Sequence, residues 1–591
     1  MTHIERWQTS SKFQKINQSK ETEPKVKDRV VKDIGAKEYE VGWEYQDWSL
    51  IYKRVRNLRR RIYRNTQQKK WNQVRSLMKL MLRSQSNLLL SISRVTEINK
   101  GRKTAGIDGQ KVLTNPGREK LYKEMKIFSP WKAKPVKRVL IPKSNGNKRP
   151  LGIPVIKDRI MQSVVKNALE PNWEAQFEWN SYGFRPGRST QDALDQCHTR
   201  LRKGMDKWVL DADIKGAFDN ISHEFLINKL GNIPGLELIK QWLKAGYVEN
   251  EVFNPTNSGT PQGGLISPLL ANIALDGLDE FLSAYVKVKE YKSSPKAKRQ
   301  RITKQKLPRY GFCRYADDFI VTAENKEDLE ILLPDIKQWL AKRGLQLNPD
   351  KTQIRKCDEG FNFLGFNIRQ YNGHCITKPE KAKTLRFLQR IRDWLKKHKD
   401  VTAEAVINYL NPVLKGWGNY YRFAASKRVF SYVDHKLWKV LWLWAKRRHK
   451  NKGKRWIARK YFSRDWRLKA EIINRRGDKQ SITLTKLYDI PIIRHIQVKG
   501  NNSPDDPTLI QYWENRRTKH GKVLLAKGSR LYKIATNQRW KCPYCKEHLY
   551  NGKELHQHHI KQIKDGGFEF EDNLQLIHKF CHTKLHAAKG A

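Results

Sequence analysis

The string Tyr315-Ala316-Asp317-Asp318 stands between Gly311-Phe312-Cys313-Arg314 and the β-prone run Phe319-Ile320-Val321. Two acids at the tip of a hairpin are a costly like-charge pair, tolerable when divalent cations sit between the carboxylates. Well upstream, Asp211-Ala212-Asp213 ends another β-prone run and leads into Ile214-Lys215-Gly216-Ala217-Phe218-Asp219. Together Asp213, Asp317 and Asp318 could hold two Mg²⁺ ions, which would activate a hydroxyl nucleophile and stabilise a leaving pyrophosphate. An isolated Asp-Asp pair would read as an Asx-rich turn, and the flanking strings argue against that here.

A second concentration of reactive residues lies toward the C-terminus. Cys542-Pro543-Tyr544-Cys545 is a CxxC knuckle, followed downstream by His578 and Cys581 in HxxC spacing. Four such ligands would close a tetrahedral structural Zn²⁺ site, a staple from which a small module with little core gains much. Interleaved with them are His558-His559-Ile560, Asp565-Gly566-Gly567, Asn573, and the pair His582 and His586, whose i, i+4 spacing puts both on one helix face. His556 precedes the His558-His559 pair, and His578 is in the same register with His582. The sequence leaves open whether His556 and His578 exchange roles between the two sets.

These residues need elements to hold them. From Trp48 to Lys100 the apolar spacing is helical, with one stripe of Ile51, Val55, Leu58 and Ile62 and another of Trp71, Val74, Met78 and Met81. Residues 137–375 mix β-rich runs (Arg138–Pro142, Lys207–Asp213, Phe312–Ala323) with helical stretches such as Asp158–Leu169 and Lys326–Arg343. That mixture predicts an α+β unit with an antiparallel sheet. Lys287 to Arg309 is strongly basic with a single acid, Glu290, and is expected to be an inserted loop that orders only on nucleic acid. From Lys378 the pattern turns helical, with Leu385, Leu388, Ile391, Trp394 and Leu395 expected on one face and dense Trp, Lys and Arg beyond.

Composition narrows the partner. The 591 residues carry 118 Lys and Arg against 59 Asp and Glu, a net charge of +59. A chain so self-repulsive is most easily housed beside a polyanion, which points to nucleic acid. No apolar run is long enough for a membrane span, and the first residues lack a signal core. Seven Cys, three of them close to the C-terminus, fit metal binding in a reducing compartment better than a disulfide framework.

The acidic strings resemble the catalytic boxes of reverse transcriptases. The resemblance implies that Phe218 is a steric gate against a ribose 2′-OH, so that dNTPs are the substrates, although a core role suits the same ring. Gly259-Thr260-Pro261-Gln262-Gly263-Gly264 is similar to the box that places Gln262 against the incoming nucleotide. Lys143 and Arg149 flank a predicted hairpin tip and are suited to grip the triphosphate; an ordinary basic tip is the plainer alternative. Lys351 matches a family lysine kept close to the nucleotide, and Phe361-Asn362-Phe363-Leu364-Gly365-Phe366 resembles the primer-grip hairpin.

Three further strings narrow the family: Asn99 to Gly109, Ser181-Tyr182-Gly183-Phe184-Arg185-Pro186-Gly187-Arg188-Ser189, and Leu414-Lys415-Gly416-Trp417-Gly418-Asn419-Tyr420-Tyr421-Arg422. Together they resemble group II intron-encoded proteins. The C-terminal module resembles the HNH nuclease, a ββα-metal element. That likeness implies His558, His582 and His586 as ligands of one catalytic divalent ion, His559 as general base and Asn573 as the residue that orients it. A zinc finger that binds DNA without cutting is the rival, disfavoured by the His and Asn spacing.

The resemblance implies a multidomain α+β chain: a right-hand polymerase of fingers and palm, an α-helical thumb/maturase domain, and a small zinc-bound ββα-metal HNH module. The expected segments are a polar leader (1–44), a helical RNA-binding extension (45–136), fingers and palm (137–375), thumb and maturase domain X (376–465), a basic DNA-binding region (466–535) and the HNH module (536–591). The implied partners are a group II intron RNA, target DNA and dNTPs. A homodimer is compatible with the sequence. The expected location is a bacterial cytoplasm, at the nucleoid when acting; an organelle-encoded protein would look the same.

Overall fold

The computed structural model describes residues 42–127, 130–142, 146, 148–202, 206–292, 302–473, 479–525 and 527–589. Most of the expected leader, Lys143 and the tip of the basic insert at 293–301 lie outside the described residues. Residues 1–46 and 47–591 are separate units; in the first, only the short turn Trp43–Tyr45 is described as an element.

The second unit opens with helices Trp48–Gln67, Trp71–Arg83 and Gln85–Ser93. Asp47 starts the first by accepting the Leu50 amide, one of the donors a helix N-terminus leaves orphaned. Ile51, Val55 and Ile62 are buried as the periodicity predicts, with Leu58 packed against the main core. Trp71 departs from its expected stripe: it starts its helix and is exposed, and Leu77 fills the buried row with Val74, Met78 and Met81. Arg59 ties the first helix inward, donating 2.9 Å to Glu170 on helix Ile156–Glu174 and 2.6 Å to Asp505.

A four-stranded antiparallel sheet forms the centre. Its order is Gln353–Lys356, Trp208–Asp213, Asp318–Ala323, Gly311–Tyr315. The predicted run Phe312–Ala323 is thus two strands broken by a turn at Ala316-Asp317. Helices Ile156–Glu174, Ser267–Ala274 and Lys326–Ala341 contribute to the core that this sheet also helps form, where each fully buried Leu or Ile is worth about 1.5–3 kcal/mol. A second sheet joins hairpin Val136–Pro142 and Lys148–Ile153 to the short strands Tyr247–Glu249 and Val252–Asn254.

The basic insert differs from a plain loop. Val286–Lys292 and Ile302–Pro308 pair antiparallel over seven residues each, Val286 opposite Pro308 and Lys292 opposite Ile302. Alternating Val and Lys in Val286-Lys287-Val288-Lys289 has the period of a strand, which outweighs the charge.

Beyond the sheet Phe361–Phe363, Phe366–Tyr371, His374–Pro379 come helices Lys381–Lys397, Ala403–Tyr421 and Lys427–Arg448. Leu388, Ile391 and Leu395 are buried as expected, with Thr384 extending their row; Leu385 sits one residue off that face and is exposed. Phe387 stacks on Trp417 at 4.8 Å, and the hydroxyls of Tyr420 and Tyr421 reach back to the carbonyls of Leu364 and Gly365. The chain then returns to the first half: the buried Asp192 carboxylate accepts from His495, Val498 and Arg516.

Candidate active sites

The first site forms where two strands end together. Asp213 is the register partner of Asp318, and Asp317 sits on the turn before it. Three carboxylates therefore crowd one edge of the sheet. Burial and then Asp317, Asp213 and Asp211 push the Asp318 carboxyl up to about 7. Asp317 is raised as well, first by burial and then by Asp213. Asp211, two residues back along the strand, is raised to about 6, chiefly by burial. Mutual repulsion of this kind is what bound divalent cations relieve, and hard carboxylate oxygens suit Mg²⁺. Lys351 Nζ, 2.9 Å from Asp213 Oδ2, supplies some of the missing positive charge. Asn348 fixes the turn before Lys351 by donating its amide to the Asp213 carbonyl at 2.8 Å.

Among the other candidates, Arg149 lies close enough to these carboxylates to act electrostatically on Asp317. Arg149, on strand Lys148–Ile153, donates from Nε to Gln262 Oε1 at 3.0 Å. The Gln262 carbonyl accepts the Gly152 amide at 2.6 Å, so the glycine loop is stitched to the hairpin. Gly263 permits this: its φ is +125°, and a β-carbon there would stand 2.3 Å from the Gly152 carbonyl oxygen. Phe218 is 8% exposed and belongs to the main core, with Phe184 edge-on at 6.2 Å. Packing therefore fixes this ring whether or not it also gates the sugar.

The C-terminal module holds two separate ligand groups. Cys542, Cys545, His578 and Cys581 are buried, and their ligand atoms all lie within 4.8 Å of one another. His578 Nε2 lies 3.3 and 3.2 Å from the carbonyls of His548 and Leu549. Carbonyls only accept, so Nε2 carries the hydrogen and Nδ1, 3.3 Å from Cys545 Sγ, is the free ligand atom. The set fits Zn²⁺ by number, softness and closure.

The second group is His558, His582 and His586, again within 4.8 Å. His558 comes from strand Leu555–His559, the other two from helix Lys579–Lys589. His582 Nε2 and His586 Nε2 face each other at 3.3 Å, a meeting of nitrogens that suits a shared cation. Burial, then His586 and His556, lowers His582, which favours the neutral ligand form. His556 stays outside both groups, its ring 5.2 Å from that of His582. His559 ends the strand, half-buried, opposite Leu574. Asn573 works on backbone: its side chain accepts the Lys561 amide and donates to the Lys561 and Phe568 carbonyls, while its own carbonyl takes the Ile560 amide. It thereby clamps the loop that follows His559. Gly567 lets that loop close, since a β-carbon there would lie 2.1 Å from the Lys561 carbonyl oxygen.

This geometry agrees with what the chain is similar to. It matches the reverse transcriptase (RNA-dependent DNA polymerase) family over residues 141–368 and the N-terminal domain of reverse transcriptase over 43–125. It also matches the group II intron, maturase-specific domain over 384–462 and HNH endonuclease over 542–588. Protein YkfC of Escherichia coli is 34% identical over 314 residues, which span 49% of this chain and 82% of YkfC. Group II intron-encoded protein LtrA of Lactococcus lactis subsp. cremoris is 31% identical over 421 residues, 57% of this chain and 69% of LtrA. The chain belongs to the group II intron-encoded proteins. It combines reverse transcriptase, maturase and HNH endonuclease domains and serves intron mobility and splicing. Its partners are nucleic acids, and both enzyme families generally use divalent metals.

Several residues around these sites carried no role in the sequence reading. Gly183 and Phe184 lay in a string used only for its likeness to group II intron-encoded proteins, yet Gly183 packs on the Ala316 backbone and Phe184 on Phe218. Arg314 is wholly buried behind the acidic turn, donating to Asn272 Oδ1 at 3.1 Å and to the Ala316 carbonyl at 3.3 Å. An Arg directly before Tyr315 in an otherwise apolar run was the available signal. Lys584, between the two histidines of the C-terminal helix, is buried against Glu97 at 3.0 Å and lies over the Trp48 ring.

Proposed function

We propose that Asp213, Asp317 and Asp318 hold two Mg²⁺ ions in the palm of a right-hand polymerase whose fingers and palm span 137–375 and whose thumb begins near 376. When bound, those ions activate a primer 3′-hydroxyl and neutralise charge on the leaving pyrophosphate. Lys143 and Arg149 bind the triphosphate of an incoming dNTP, Lys351 and Gln262 lie close to the nucleotide, and the Phe218 ring excludes a ribose 2′-OH. Support comes from the direct pairing of Asp213 with Asp318 beside Asp317, the single observation that carries the reading.

In the HNH module, His558, His582 and His586 hold one divalent ion, whose role when bound is to stabilise the leaving oxygen of a phosphodiester. His559 takes a proton from the attacking water on a ring nitrogen, and Asn573 keeps the loop after it in place. Cys542, Cys545, His578 and Cys581 hold a structural Zn²⁺. The helices of 376–465 bind the intron RNA and stabilise its splicing-competent fold, and the basic 466–535 region meets target DNA. The ribonucleoprotein then enters one DNA strand by reverse splicing, the HNH module nicks the other, and the new 3′-hydroxyl primes cDNA synthesis on the intron RNA.

The test is gentle purification from the native host with sequencing of the accompanying RNA. One dominant structured lariat is the expected result. A broad mixture of cellular RNAs would leave only charge-driven binding and defeat the maturase part of the reading.

A further inference from the structure

Apart from both catalytic clusters, a cavity of about 550 Å³ opens between helix Lys427–Arg448, the turn at Trp466-Arg467-Leu468 and the segment Leu484 to Asp489. That volume is of small-ligand size. The helix wall carries His435 and Trp438, which belong to an aromatic ladder that continues past the cavity. His435 stacks on Trp438 at 6.4 Å, and Trp438 stacks on Trp442 at 5.9 Å. Trp466 stands edge-on to Trp438, with centroids 5.8 Å apart and planes at 88°. Trp466 and Tyr488 are 53% and 55% exposed.

Three observations say what enters. The first is Trp438 Nε1, buried with no hydrogen-bond partner, although a buried indole N–H usually finds one. The second is the backbone of Trp466, with a φ of +62° that a bulky residue rarely adopts. Bonds with Ser463 hold it there: Trp466 N donates to the Ser463 carbonyl at 3.0 Å, and Arg467 N donates to Ser463 Oγ at 3.0 Å. The third is charge. The acids nearby are occupied: Asp434 accepts the Leu487 and Tyr488 amides, and Asp465 and Asp489 both hold Arg467. Arg467 and Lys486 line the cavity, and outside it Arg428 and Lys439 on the same helix and Arg464 beside Trp466 are exposed.

We propose that this cavity receives an unstacked nucleobase of the bound RNA, stacked on one indole, edge-on to the other, with a base acceptor taking the Trp438 N–H. Aromatic faces inside a cationic surround are how single-stranded RNA is held, because every base offers a π-face and every nucleotide a phosphate. The inference rests on the reading that the protein binds RNA, names one contact of that binding, and assigns residues 466–489 to the RNA, leaving the remainder of 466–535 to target DNA.

The test uses the full chain and a short single-stranded RNA carrying 5-bromouridine, irradiated and mapped by mass spectrometry. Cross-links on Trp438, Trp466 or Tyr488 are expected. In parallel, Trp466→Ala should bind the unmodified RNA about tenfold more weakly, bind an abasic ribose-phosphate strand as the parent does, and melt as the parent does. Trp466→Phe should recover most of the lost affinity. Cross-links confined to other regions, together with unchanged affinity in Trp466→Ala, would overturn the proposal. If the parent chain binds neither strand, the RNA-binding reading fails instead, a result visible before any variant is made.

Discussion

A β-carbon added to Gly183 would lie 2.3 Å from the amide nitrogen of Ala316 and 3.0 Å from its α-carbon. Ala316 is itself in the left-handed region, at φ +59°, on the turn that presents Asp317. The contact is with backbone, so no flexible side chain can yield. Gly183→Ala must therefore displace the acidic turn or the 181–184 segment. Misplacing a catalytic group by an ångström costs on the order of a hundredfold in rate. Primer extension on a generic template should fall by about that factor in Gly183→Ala, while DNA nicking stays at the parent level. Equal primer extension would show that the turn tolerates the shift.

The two proposed active sites share no residue, so their activities should separate. Asp317→Asn removes one carboxylate from the acidic edge and should abolish primer extension while sparing nicking. His559→Ala should lower nicking by about a hundredfold or more, the usual worth of a general base, and spare primer extension. Assaying both reactions on both variants checks this. A crossed result, with nicking lost in Asp317→Asn, would mean that the nicking chemistry does not reside in the C-terminal module.

Metal removal should act locally. The module's own buried core is small: Ile534, Ala535, Trp540, Leu549, Leu574, Leu576 and Ile577 around three cysteines. A core of that size depends on its staple. Cys545→Ser should lower bound zinc by one equivalent per chain, expose the C-terminal residues to limited proteolysis and abolish nicking. Primer extension should survive. Unchanged protease resistance in a zinc-free variant would count against a structural role for the metal.

Legibility in the sequence followed the range of the interactions. Asp213, Asp317, Asp318, Cys542, Cys545, His558 and His582 stood out because residue types able to ligate metals recur there at short, regular spacings, and the structure brings each set together. The helical stripes were readable because burial follows a 3.6-residue period, and they failed at Trp71 and Leu385, where the helix start and a one-residue rotation decide exposure. The ribbon at 286–308 was misread because charge was weighed above alternation. Gly183 and Lys584 act on partners distant in sequence, contacts that leave no local pattern, whereas Arg314 left only its charge in an apolar run as a signal.

Lys584 joins the HNH module to the N-terminal helices. Its side chain is 4% exposed, 3.0 Å from Glu97 Oε1 and 4.6 Å from the centre of the Trp48 ring, and Phe580 meets Trp48 edge-on at 5.7 Å. Losing one partner of a buried ion pair costs about 3–5 kcal/mol when the other is stranded. Here Arg118 remains 3.7 Å from Glu97, so the cost should be nearer 1–2 kcal/mol. Lys584→Ala should accordingly loosen the module from helix Trp48–Gln67 without unfolding it, seen as faster amide exchange at 48–52 and 580–584 with zinc content unchanged. Parent-like exchange at both segments would show that the remaining contacts suffice.

Glu178 gives the protein a pH dependence that a single substitution can remove. Its Oε1 accepts the amides of Gly277 and Asp279, while its Oε2 is buried without a partner. Burial, partly countered by Arg314, raises the carboxyl to about 7 from an ordinary 4.5. Because the folded value is the higher one, the unfolded chain loses its proton first. Glu178 therefore carries no penalty below about pH 4.5, destabilises progressively as pH rises toward 7, and above that costs a constant amount, on the order of 3 kcal/mol. Gln at this position keeps an oxygen for the two amides but cannot ionise. Relative to the parent, Glu178→Gln should gain apparent melting temperature between pH 5 and pH 8. An identical difference at both values would mean that Glu178 does not change protonation between them in the folded protein.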